Sequence, residues 1–224
     1  VVVSSKFEYE DALEFGIPKD KLHVIPMGIK VTEGIKKKAD NEVLQLLFVG
    51  RIARVRRIEL LLQAIGKLTF PFHLTIVGGE EKTSSLSRSG YLEELKTLTQ
   101  ELNLKNKVTF VGKKSPEELK AYYQKADVFV YPSKYENFGQ PILEAGAHGL
   151  PVVATAVGVA RDIVLDGETG YLTSDDPKEM GHCIQLLREG DLRQKMGVQI
   201  KNLIREKFDW DNIIKQYISL YNSF

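Results

Sequence analysis

The sequence predicts an α/β domain: a doubly wound parallel sheet with helices on both faces. Three observations lead there. Short β-rich apolar runs alternate with helix-spaced segments at ~20 to 30 residue spacing, the rhythm of strand, helix and strand units. Helix starts carry strong local signals, above all Ser115-Pro116-Glu117-Glu118, a capping box with proline at the first helical position. A chain of 224 residues with 43% hydrophobic content can also bury a sizeable core.

Taken in order, Val1 to Ser4 reads as a strand, and Ser5 opens a helical segment through Phe15 that Gly16 and Pro18 end. Leu22 to Ile29 is a short β-rich run with a turn, so the opening reads as a first βαβ unit. Val31 to Glu42 is lysine-rich, carries glycine and has no periodicity, the pattern of a solvated, mobile surface loop. Regular alternation then begins, with a buried strand from Leu44 to Gly50, a helix from Ile58 to Leu68 and a second strand from His73 to Gly78. A polar loop from Gly79 to Gly90 precedes an amphipathic helix, Tyr91 to Leu102. The third strand is Lys107 to Gly112, and the Ser115 box starts a helix that runs to about Lys125. Asp127 to Pro132 is again a strand, followed by a helix that begins at Phe138-Gly139 and is closed by Gly149 and Pro151. Val152 to Thr155 is a strand, Asp162 to Val164 a helical turn, Asp166 to Gly170 a tight turn and Gly170 to Thr173 a last short strand. From Pro177 onward the chain is helical, in segments reaching Glu189, running from Asp191 to Lys207, and starting at Asp209. No repeat, low-complexity tract or linker divides it.

Composition narrows the function. Thirty-one basic and 30 acidic residues give a formal charge of +1, so no global field recruits nucleic acid or an anionic membrane. Peripheral membrane association stays compatible with this balance. A single cysteine, Cys183, excludes an intrachain disulfide and every multi-cysteine metal site, which fits a reducing, cytoplasmic location. No apolar run approaches the ~20 residues of a membrane span, and no secretory leader pattern is present. The first residue is valine, which is expected of a piece of something longer.

Most of the chemistry lies between Tyr131 and Thr155. Glu136 falls in the loop at the carboxyl end of one strand, and Glu144 follows eight positions later inside the helix. At about 1.5 Å rise per helical residue, the two can address opposite ends of one elongated ligand. Between them, the free amides at the helix start, around Phe138, Gly139 and Gln140, form an anion-binding element. Carboxylates for hydroxyls and amides for phosphate together suggest a sugar nucleotide. Upstream, Gly50-Arg51 opens a loop of four arginines, Arg51, Arg54, Arg56 and Arg57, whose guanidinium groups suit a diphosphate.

Residues Ser133 to Ala154 fit Ser-x-x-Glu-x-Phe-Gly-x-x-x-x-Glu-Ala-x-Ala-x-Gly-x-Pro-Val-Val-Ala at every fixed position. Here the chain resembles the retaining GT-B glycosyltransferases of family 4, also called group 1, whose donor-site signature is Glu-x7-Glu. The resemblance covers nearly the whole chain but only the carboxyl-terminal, donor-binding half of such an enzyme, which has two Rossmann-like domains. It implies transfer of a hexosyl group from a nucleotide diphospho-sugar to an acceptor hydroxyl, with retention and without metal or other cofactor. It also implies that residues 1–27 are a hinge and crossover segment from an amino-terminal acceptor domain, 28–208 the nucleotide-sugar-binding domain and 209–224 a crossover helix. On the last helix Trp210, Ile213, Ile214, Tyr217 and Tyr221 form an apolar stripe suited to packing on that partner domain.

Residue by residue, the resemblance places Glu136 on the transferred sugar as the catalytic-site carboxylate, Glu144 on the ribose, and the amides of Phe138 to Gln140 on sugar or diphosphate. The family's Gly-Arg-Leu-x-x-x-Lys-Gly puts Arg51 and Arg56 on the diphosphate. Arg56 departs from the family lysine and Arg57 from the family glycine, and the roles of Arg54 and Arg57 stay open. The main chain near Lys114 falls where the family meets the nucleobase. In the loop after Ala154 only Gly158, Ile163 and Val164 fit the family pattern well.

Other chemistries fit poorly. There is no dinucleotide-binding glycine fingerprint, no P-loop and no nucleophile elbow, and His23, His73, His148 and His182 have no metal-ligand spacing. Two alternatives stay open beside the transferase: a non-catalytic sugar-nucleotide-binding module, and a GT-B-like epimerase or hydrolase.

Overall fold

A computed structural model describes residues 1–31, 42–80 and 90–223. The loop expected from Val31 to Glu42, and most of the polar loop after Gly79, lie outside the described residues.

The chain opens with β1 (Val2–Val3), α1 (Lys6–Glu14) and β2 (His23–Val24), a parallel βαβ unit that forms its own two-stranded sheet. Six further strands follow: β3 (Leu44–Val49), β4 (Phe72–Val77), β5 (Val108–Gly112), β6 (Val128–Tyr131), β7 (Val152–Thr155) and β8 (Gly170–Thr173). They make one parallel sheet in the order β5-β4-β3-β6-β7-β8. The chain therefore winds outward from β3 to β5, returns to the middle, and winds outward again from β6 to β8.

The predicted helices α2 (Ile58–Ile65), α3 (Tyr91–Glu101), α4 (Pro116–Lys125), α5 (Gln140–Ala147) and the short α6 (Ala160–Ile163) occupy the connections between these strands, and α7 (Pro177–Leu186), α8 (Gly190–Phe208) and α9 (Trp210–Tyr221) follow β8. α2 packs on α3 and α7, and α5 on α6 and α8, giving a layer on each face. The central strands are mostly apolar because both faces are covered; every residue of β6 and β7 is buried. At α4 the capping box closes as the sequence predicts, with Ser115 Oγ accepting from the Glu118 amide and Glu118 returning a carboxylate to the Ser115 amide.

The last helix is only partly covered. Ile213 is fully buried, while Trp210, Ile214, Ile218 and Tyr221 are 47 to 71% exposed, so the apolar stripe continues along an open face. Its start meets the opening segment: the Ile29 amide donates to Phe208 O, and the Trp210 indole lies against Gly28 so closely that a Cβ there would come within 2.5 Å of it.

Candidate functional site

The reversal of winding falls between β3 and β6, whose carboxyl ends open into two separate loops. In a sheet of this kind that crevice is where ligands bind. Arg51 and the 3₁₀ turn Arg54–Arg56 follow β3, and Glu136 with the start of α5 follows β6. The predicted site residues from these two loops are thus brought to one place.

Glu136 is held rather than open. Its Oε1 accepts from the Tyr131 hydroxyl at 2.5 Å and pairs with Arg56 Nη2 at 2.8 Å. Both protein donors meet the same oxygen; among the described residues, no hydrogen bond engages Oε2. The ion pair is largely buried, with side-chain exposures of 7% for Arg56 and 16% for Glu136. Arg56 also donates from Nη1 to Ser133 Oγ at 3.0 Å and to Tyr135 O at 2.8 Å, and its buried Nε has no hydrogen-bond partner among the described residues. The sequence reading expects Arg56 at a diphosphate; in the structure it ties the β3 loop to the Glu136 loop. A pairing across 80 positions has no local sequence signal.

Arg51 is exposed beside this cluster. Burial raises the Tyr131 phenol well above its ordinary range, and the positive charges of Arg56 and Arg51 work against that rise, which places all three groups in one electrostatic neighbourhood.

The two open assignments resolve into structural ties. Arg54 grips Glu94 with Nη2 and lies over the Tyr91 ring at 5.1 Å. Arg57 donates from Nε to Pro132 O at 2.9 Å and from Nη2 to Ser133 O at 3.1 Å, and pairs through Nη1 with Asp175 at 2.5 Å. One side chain so links the ends of β3, β6 and β8. Its backbone is left-handed, φ 47° and ψ 45°, which explains why the family pattern has glycine at this position.

Glu144 lies on α5, half-buried, and its Oε2 accepts from the Tyr123 hydroxyl of α4 at 2.9 Å. Oε1 has no hydrogen bond among the described residues. Burial, with Glu144 second, raises the Tyr123 phenol strongly, so it stays a proton donor. His148, whose Nδ1 faces Glu144 O at 2.8 Å, stacks on Tyr123 at 5.0 Å; burial lowers its pKa.

The start of α5 is set by the loop after β7. Val159 N donates to Phe138 O at 2.6 Å, and Gly158, at φ 47°, lies where a Cβ would come within 2.2 Å of the same carbonyl. The fit of Gly158 to the family pattern thus has a steric cause. Pro141 carries no N–H and the Ile142 amide bonds back to Gly139 O, so the helix-start donors nearest the crevice are those of Gly139 and Gln140. Lys114 pairs with Glu118 at 3.0 Å, which raises its pKa and leaves the main chain as what this turn can present.

Residues 1–27 reach the site directly. Ser5 Oγ donates to Asn137 O at 2.7 Å and Tyr135 OH to Asp11 at 2.8 Å, so α1 clamps the loop on both sides of Glu136. Sequence reasoning missed these contacts, and it missed Tyr131, which ends the apolar run of β6, and Tyr123, which stands in the polar stretch Lys120-Ala-Tyr-Tyr-Gln-Lys125 with nothing to set it apart from Tyr122. Among the described residues no group of three or more His, Cys, Asp or Glu side chains converges as a metal site, and no helix is long and apolar enough to cross a membrane.

Comparison with known proteins agrees with this geometry. The family model "Glycosyl transferases group 1" matches residues 32–203. A D-inositol 3-phosphate glycosyltransferase of Corynebacterium urealyticum is 33% identical, covering 100% of this chain and 56% of its own length. Among solved structures, a sucrose-phosphate synthase from Thermosynechococcus elongatus aligns with a TM-score of 0.86 at 31% identity, covering all of this chain and 57% of its own. Anabaena HepE in complex with UDP and glucose aligns with a TM-score of 0.87 at 20% identity, covering 100% and 63%, and shares the fold. The chain spans about half the length of the curated relatives it matches, 56% and 59% for the first two. The six-stranded parallel sheet has its counterpart in these structures, and the chain belongs to the group 1 glycosyltransferases.

Proposed function

We propose that the chain is the donor-binding half of a retaining, metal-independent hexosyltransferase that uses a nucleoside-diphospho-sugar. The carrying observation is the arrangement of Glu136 and Glu144, each with one carboxylate oxygen held by a buried tyrosine and the other without a hydrogen bond among the described residues. Glu136 takes hydroxyls of the sugar, Glu144 takes the ribose, and the Lys114 turn meets the base through its main chain. Arg51 and the amides of Phe138 to Gln140 take the diphosphate, while Arg56 stays paired with Glu136 and adds its positive charge from there. In transfer, the bond from the sugar's anomeric carbon to the phosphate oxygen breaks and one to the acceptor oxygen forms. The acceptor's proton is released and charge collects on the departing diphosphate. Guanidinium groups and helix-start amides stabilise that charge in place. HepE, captured with UDP and glucose, supports the ligand class. The acceptor side belongs to an amino-terminal domain, so this chain alone binds donor without transferring it. Its composition, with one buried cysteine, favours the cytoplasm.

The test is calorimetry on the full-length protein with UDP, GDP and ADP and their sugar conjugates, with and without magnesium. One series should bind equally well in both conditions. Arg51→Ala should weaken it more than Arg57→Ala, by roughly tenfold or more for loss of a charged hydrogen bond. Glu144→Ala should weaken diphosphate and conjugate alike, whereas Glu136→Ala should spare the diphosphate. A strict magnesium requirement, equal losses for the two arginines, or the reverse carboxylate pattern overturns the corresponding assignment.

A further inference from the structure

We propose that Tyr123 and Tyr131 are paired positioning residues, each fixing one carboxylate of the Glu-x7-Glu pair before ligand arrives. The inference rests on the donor-site reading above and deepens it.

Each tyrosine is almost completely buried, at 2% and 1% exposure. A phenylalanine would fill the same space without taking a hydroxyl out of water, a step that is unfavourable unless the group finds a partner. The partner in each case is a site carboxylate: Tyr131 OH reaches Glu136 Oε1 at 2.5 Å and Tyr123 OH reaches Glu144 Oε2 at 2.9 Å. The acids come from different settings, one from a loop and one from a helix. The tyrosines also come from different elements, the end of β6 and the body of α4.

What the two have in common is one aromatic file through the core. His148 stacks on Tyr123 at 5.0 Å, Tyr123 meets Phe129 at 6.1 Å, Phe129 stacks on Tyr131 at 5.9 Å, and Tyr131 stacks on Phe48 at 5.5 Å. A packed ring has two side-chain torsions and both are fixed by its neighbours. A glutamate has three, and at a half-open site none is fixed by packing alone. Anchoring one carboxylate oxygen on a rigid phenol removes that freedom in advance and aims the second oxygen at the ligand's hydroxyls, which is preorganisation in the usual sense. Because both phenols stand on the same file, the two acids are referred to one rigid object, although they serve different parts of the ligand.

The experiment is a pair of double-mutant cycles in the full-length protein, read by calorimetry with UDP, GDP and ADP and their glucose conjugates, with thermal unfolding followed in parallel. Tyr123→Phe keeps the ring and should weaken the bound diphosphate and its conjugate alike, by roughly five- to twentyfold, somewhat less than loss of a direct charged hydrogen bond. Tyr131→Phe should leave the diphosphate unchanged and weaken only the conjugate. In a Glu144→Ala background Tyr123→Phe should cost nothing further, and likewise Tyr131→Phe in Glu136→Ala, because the tyrosines act through those carboxylates. Additive losses in both cycles, or Phe variants that shift the unfolding temperature and leave binding untouched, overturn the proposal. If Glu136→Ala and Glu144→Ala themselves leave every ligand bound as tightly as before, the donor-site reading falls first. That outcome is distinguished from failure of the tyrosine proposal by the single-carboxylate variants alone.

Discussion

The crevice between β3 and β6 and the face of α9 break the ordinary distribution of residues in opposite directions. At the crevice charged groups are buried: Arg56 and Glu136 lie under the surface as an ion pair, among Ser133, Tyr131 and main-chain carbonyls. Along α9 apolar groups are exposed, from Trp210 to Tyr221. The first arrangement is tightly determined by its own partners within the chain. The second is covered only in part: Ile213 is buried and Trp210 leans on Gly28, while Ile214, Ile218 and Tyr221 stay about half exposed or more. A buried ion pair gives little net stability but is costly to break, whereas an exposed apolar side chain contributes little until something covers it. The contrast separates what this chain completes by itself from what it leaves uncovered.

The largest expected effect lies in the crevice. Arg56→Ala leaves the Glu136 carboxylate without its counter-ion and should lower stability by about 3 kcal/mol, measured by urea unfolding. A loss below about 1 kcal/mol would class the pair with exposed ones and weaken the contrast. Gly158→Ala comes next: its Cβ would press on Phe138 O from a left-handed backbone, so a loss of about 2 kcal/mol is expected, together with weaker diphosphate binding as the α5 start shifts. Unchanged binding would separate that loop from the site.

Two smaller effects sharpen the comparison. Both Arg57→Ala and Arg57→Gly lose the three ties, but glycine accepts φ 47° freely; the Gly variant should therefore be the more stable by about 1 kcal/mol in parallel melts. Ile218→Ser, on the open face of α9, should change the stability of this chain by no more than about 0.5 kcal/mol. A larger loss would mean that α9 packs on its own domain after all.

The fold was legible because its signals are local and repeated. Each strand run, the Ser115 capping box and the Gly149 and Pro151 stop can be read within a dozen residues, and their alternation leaves few topologies. The carboxylate pair was legible for the same reason, since Glu136, Glu144 and the residues between them form one contiguous unit. What could not be read was every contact made across the sheet. The partner of Arg56 is 80 positions away, Asp175 lies still further from Arg57, and Tyr123 OH reaches a carboxylate on the next helix. A tyrosine in an apolar run has the pattern of core whether or not its hydroxyl has a task. Nor does an arginine at a glycine position show in sequence that the left-handed backbone has been kept.

The strand order has a consequence for how long the protein survives. β3 and β4 pair across a crossover of 22 residues, β6 and β7 across 20 and β7 and β8 across 14, but β3 and β6 join residues 46–47 to 128–129 across about 80 positions of chain, the costlier closure. The ligand crevice lies on that seam. On the donor-site reading proposed above, a chain in which only one wing has assembled would have no donor site, so donor would add nothing to partly folded forms and would stabilise only the joined sheet. At 100 times its dissociation constant it would contribute about 2.7 kcal/mol. Supply of such a ligand would then set what fraction of the protein escapes proteolysis.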